Sequence, residues 1–149
     1  MTKTTRIRPY SNHRDYFDLH VSATQKEMNA HAERWAKSLG IKMQHDAATA
    51  GIVQPSSIRM FPEVYRDEEW RSICFCRMFL SQEKLTEQII AHECLHVAMC
   101  HERHVEMFDM RFDMEIDEDE ERLAHYLGRT VEGVMKALRK GGYRIKRER

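Results

Sequence analysis

Residues 89 to 99 read Ile-Ile-Ala-His-Glu-Cys-Leu-His-Val-Ala-Met. Apolar residues flank His92-Glu93-Cys94-Leu95-His96 on both sides. The run therefore reads as one helix, buried on more than one side. In a helix, His92 and His96 lie one turn apart on one face, and both imidazoles can reach one metal ion. Glu93 is rotated by about 100° from His92 and sits beside that face. There it can hold a metal-bound water and accept its proton. With nine His in 149 residues, chance supplies about 0.06 such H-E-x-x-H matches in a chain of this composition. The match and its helical context point to a metal site. The plain alternative is a helix with two unconnected His.

Working outward, the predicted helix extends from Ser81 to about His101. Two strand candidates precede it, roughly Ser57 to Tyr65 and Arg71 to Leu80. They would be joined across Arg66-Asp67-Glu68-Glu69 as a hairpin or a wide connection, with Pro62 suited to an edge. Further upstream, Met28, Ala32, Trp35 and Leu39 mark one face of a helix over Ser22 to Leu39. Thr24 with Glu27, or Ser22 with Gln25, can form its capping box, and Gly40 its C-terminal cap. Residues 41 to 56 read as a loop, and residues 1 to about 20 as an irregular arm. Downstream, residues 102 to 117 read as a charged, Met-rich connection. A second helix follows over Glu118 to Leu138, with Leu123, Ala124, Leu127, Val131, Val134 and Leu138 as its apolar stripe. Gly141-Gly142 ends it, and residues 139 to 149 form a basic tail.

The length fits one domain spanning 1–149. Apolar residues at 42% can supply a modest core. Lys+Arg and Asp+Glu are 24 each, so the net charge is zero. This excludes a chain built as a whole for nonspecific binding to nucleic acid or anionic membranes. No apolar run is long enough to span a bilayer, and Met1 to Arg6 shows no start of a secretory signal. A cytoplasmic protein with reduced Cys74, Cys76, Cys94 and Cys100 is expected. Cys74 and Cys76 read as core residues. His13, His20, His31 and His45 read as surface or satisfied His. The basic tail reads as a solvated terminus, with nucleic-acid contact the rival reading.

Met78 to His96 resembles the strand-to-active-site-helix segment of zincin metallopeptidases. Glu121-Arg122-Leu123-Ala124 resembles the E-x-x-A segment of gluzincins. The likeness is to small phage and bacterial H-E-x-x-H metallopeptidases and, more distantly, to the ImmA/IrrE type, and it covers roughly residues 70 to 135. It implies a small α+β, zincin-like domain with a short mixed or antiparallel sheet, the H-E-x-x-H helix and a C-terminal ligand-bearing helix. It implies one Zn2+ per chain, held by His92, His96 and Glu121. The activity implied is hydrolysis of peptide bonds through a zinc-activated water, with Glu93 as general base. The substrate, a peptide or protein, would lie along an edge strand, for which Arg71 to Leu80 is the candidate.

Where many gluzincins carry an acid after that Ala, this chain has His125. Helical geometry puts Glu120 at the centre of the stripe, which makes it an alternative to Glu121. His104-Val-Glu-Met-Phe108 resembles the H-x-x-x-F segment of SprT-like zincins. This gives an alternative metalloprotease with His104 as third ligand, His101 being a further option, acting near DNA through the tail. The metzincin pattern fails at Met99 and Glu102. His104 or Tyr126 could steady an oxyanion. A further alternative is a noncatalytic zinc-binding or helical interaction module.

Overall fold

The structure is a computed structural model that describes residues 2–10, 15–40, 50–55, 73–109 and 116–147. For 55, 73, 103–109 and 116–119 it describes the backbone alone. Strands β1 (Lys3–Ile7), β2 (Asp15–Ser22), β3 (Gly51–Pro55) and β4 (Ile73–Ser81) form one sheet in the order β1-β2-β4-β3. The central pair β2 and β4 is parallel, and both outer pairings are antiparallel. Three α-helices complete the described residues: α1 (Gln25–Ser38), α2 (Glu87–Asp109) and α3 (Ile116–Lys140). The fold is α+β with a mixed sheet. No helix among the described residues is long and apolar enough to cross a membrane.

Strand periodicity decides the two faces. Phe17, Leu19 and Val21 of β2 and Met78 and Leu80 of β4 are buried on one face, against Ile90, Cys94, Val97 and Ala98 of α2. Tyr126, Val134 and Leu138 of α3 close the same core. Each fully buried Phe or Leu there contributes roughly 2 kcal/mol of burial free energy. The other face carries Asp18, His20, Arg77 and Phe79. Here α1 packs through Met28 and Ala32 on Ile52 and Phe79. Thr24 caps α1 as expected, accepting the Glu27 N–H at 3.2 Å. Gly40 follows the helix at φ 70°, the left-handed conformation that suits glycine.

Several expectations need correction. Residues 1 to 20 are not an irregular arm: they supply β1 and β2. β2 alternates, but the face opposite its apolar one carries Tyr16, Asp18 and His20 in place of plainly polar residues, and β1 buries only Ile7. The loop expected over 41–56 contains β3, and the Ser57 to Tyr65 candidate lies outside the described residues. β4 confirms the strand read at Arg71 to Leu80, but its partners are β2 and β3. It is therefore an interior strand and has no free edge for a substrate. The Ser81 to His101 helix starts later and runs further. Ser81 caps a short 3-10 turn over Gln82–Lys84, Leu85 is buried, and Thr86 accepts the Ile89 N–H at 3.2 Å to open α2. Its backbone then continues through Asp109, into what was read as a connection.

The basic tail is docked as far as Arg147. Lys146 N–H donates to the Leu85 carbonyl at 2.9 Å, and Glu87 N–H donates to the Lys146 carbonyl at 3.3 Å. The Gln82 amide bonds both backbone groups of Arg144, at 2.7 and 3.1 Å. These contacts occupy backbone groups at the start of α2 that a helix terminus leaves open.

Candidate metal centre

The two His of the motif converge. His92 Nε2 and His96 Nε2 lie 3.1 Å apart, with ring centroids at 4.8 Å, and both side chains are exposed. Two nitrogens about 2.05 Å from one tetrahedral zinc stand about 3.3 Å apart. The imidazole pair therefore fits a shared ion in chemistry and in spacing. Leu95 and Met99, each 40% exposed, border the pair on the solvent side.

Glu93 turns the other way. It is only 6% exposed and lies against β3. A methyl group built on Gly51 would stand 2.6 Å from its Cγ and 2.8 Å from its Cδ and Oε1. The carboxylate thus occupies the space that any other residue at 51 would fill. Burial raises the Glu93 pKa above its ordinary value, and the neighbouring His92 offsets this in part. Cys94, inside the motif, is fully buried. Its thiol is pushed up to about 12, by burial first and by the Glu93 charge second, and its side chain belongs to the core, not to the exposed rim of His92 and His96.

The expected third ligand is not beside the pair. Glu121 stands on the exposed side of α3, with its Oε1 3.6 Å from His125 Nε2. Glu120 is exposed too, not central to a buried stripe. The buried stripe of α3 is Tyr126, Thr130, Val134 and Leu138, with Leu123, Leu127 and Val131 half-buried beside it. Thr130 hides its hydroxyl by donating to the Tyr126 carbonyl at 2.8 Å, which is why a threonine can hold a core position. Tyr126 is stacked on His101 at 3.7 Å within this core, so it is not placed to steady an oxyanion. His104 belongs to the unbroken α2, two turns beyond His96, and its side chain lies outside the described residues. Among the described residues, no group of three or more His, Cys, Asp and Glu comes together to hold a metal ion.

Compared with known proteins, the chain matches no family model, no curated protein and no solved structure.

The packing of α2 explains the geometry. One flank of α2 faces α3, marked by His101 on Tyr126 and by Glu102 with Arg122. Glu93, about 180° around the helix from Glu102, marks the flank that faces β3. His92 and His96 lie on the rim nearer β3, which separates them from Glu121. Sequence reading missed Gly51, and no local pattern could reveal it, since 42 residues separate it from Glu93. It also missed the Glu102–Arg122 pair.

Proposed function

We propose that the chain is a zinc-dependent peptidase in which His92 and His96 hold the ion and Glu93 moves the proton. The carrying observation is the 3.1 Å approach of the two Nε2 atoms on an open rim, next to a carboxylate buried on the adjoining flank. Bound zinc would supply Lewis-acid polarisation of the scissile carbonyl. Glu93 would take a proton from the attacking water at its carboxylate and pass it to the leaving amine. Its raised pKa suits that task, since a base works best when its affinity for the proton is near the working pH.

The zincin-like reading of the fold belongs to this proposal. β3 takes the place first given to β4: it is the outer strand on the α2 side of the sheet, and Gly51 brings its backbone against Glu93. A peptide added along β3 would run past the carboxylate. Leu95 and Met99 would offer it an apolar border. The reading takes Glu121 as third donor, as the resemblance implies, which requires α3 to shift so that Glu121 leaves His125 and reaches the rim of α2.

Zinc per chain, measured by elemental analysis after metal loading, tests the proposal. Wild type should hold about one zinc, and His96→Ala and Glu121→Ala much less. Full zinc in Glu121→Ala alone would move the third donor to Glu120 or His104. No zinc in wild type would end the peptidase reading.

A further inference from the structure

The solvent face of α2 is unlike those of the other two helices. α1 turns Lys26, Glu33, Arg34 and Lys37 to solvent, and α3 turns Glu121, Arg129, Glu132 and Lys136. Over residues 89 to 101, the exposed side chains of α2 are Ala91, His92, Leu95, His96 and Met99. None is an acid, a lysine or an arginine, in a chain that is 32% charged. A helix that buries one face ordinarily carries charged and polar residues on the other. Leu95 and Met99, at 40% each, are also the exposed large apolar side chains among the described residues. His92, Leu95 and Met99 follow at steps of three and four, the spacing at which one helix meets another.

The face suits a second copy of itself. Zinc takes four ligands in a tetrahedron, and the His92–His96 pair supplies half of that set. A two-fold axis through the ion would bring a second pair and complete it, since a two-fold interface uses the same patch on both subunits. The one-chain site needs α3 to shift before Glu121 can reach the rim. Pairing uses the rings where they stand, with the two Nε2 atoms 3.1 Å apart. No like charges from this stripe would meet across the axis. Two partly exposed apolar side chains per chain fall well short of the roughly 1,000 Å2 that a specific interface buries. The ion must therefore carry the association.

We infer that α2 joins α2 of a second copy through one zinc ion, held by His92 and His96 of both chains, with Leu95 and Met99 packed beside the axis. The inference rests on the reading of His92 and His96 as zinc ligands. A zinc with four protein ligands is closed and keeps no position for water. The dimer is therefore an inactive form of the proposed peptidase, formed when zinc is scarce. Zinc in excess gives each chain its own ion and separates the copies.

The test is a titration of the metal-free full chain with zinc chloride, read as molar mass by light scattering and as zinc per chain by elemental analysis. At about half an equivalent of zinc the mass should double, with about half a zinc bound per chain. A chelator should return the monomer. His92 and Leu95 are exposed, so their variants should fold as wild type does. His92→Ala should stay monomeric. Leu95→Glu sets two like charges beside the axis and should weaken the dimer at least about tenfold. Glu121→Ala should dimerise as wild type does at half an equivalent. A dimer without zinc, or a zinc dimer in His92→Ala, would overturn the inference. So would monomers with one zinc per chain once zinc is in excess and none but monomers below it, a result that leaves the peptidase reading intact. Dimers that keep half a zinc per chain at any excess would end the peptidase reading and leave the dimer standing.

Discussion

Helix α2 carries two carboxylates of similar burial and handles them in opposite ways. Glu102, with its side chain 12% exposed, is clasped by Arg122 from α3, with N–O distances of 2.6, 3.0 and 3.1 Å. Glu93 is 6% exposed and has no ion pair among the described residues; it lies on the bare backbone of Gly51. A forked guanidinium fixes the first charge as part of the packing between two helices. The second keeps a raised affinity for a proton, with burial as its largest cause. Burial alone therefore does not mark a functional acid. The difference lies in what the surrounding chain supplies: a cation at one end of the helix, a missing side chain at the other.

Breaking each half of this contrast should give distinct losses. The largest concerns Glu93. Once a cleaved peptide is in hand, Glu93→Gln should lower its turnover about 100- to 10,000-fold, with zinc content and folding unchanged. Undiminished turnover would remove Glu93 as the base. The second concerns Arg122. Arg122→Ala strands the Glu102 charge and should cost about 2 kcal/mol, less than a fully buried pair because both groups keep some solvent. The midpoint of urea unfolding measures this. Glu93→Gln, by contrast, should not destabilise the fold.

The smallest effect sharpens the contrast through pH. Burial raises the Glu93 pKa above its value in the unfolded chain, so the folded state holds that proton more tightly. The contribution is fully present below the ordinary value of 4.5 and is lost as pH rises through the raised one. In metal-free protein, the stability of wild type relative to Glu93→Gln should therefore fall as pH rises across that window. A flat difference would show that Glu93 is as well solvated folded as unfolded.

What the sequence discloses follows the range of the interactions. The motif spacing, the Thr24 cap and the run of helical periodicity in α1 and α3 are local, and they read correctly. β2 is hidden because its outer face carries Tyr16, Asp18 and His20 in place of a plainly polar set. β3 is five residues ending in Pro55, and only its pairing with β4 makes it a strand. The E-x-x-A spacing picks out Glu121, but which way that residue faces depends on how Tyr126 seats on His101, a contact between helices. The Gly51–Glu93 approach is invisible for the same reason.

The gap at Gly51 also acts as an alignment mark for the sheet. A two-residue slip of β3 along β4 would keep the same strand face inward and so escape the usual penalty of exposing apolar side chains. Here that slip would drive Val53 into the Glu93 side chain, where even a methyl group has no room. The carboxylate thus reports on the pairing of an outer strand that has only five residues with which to find its place.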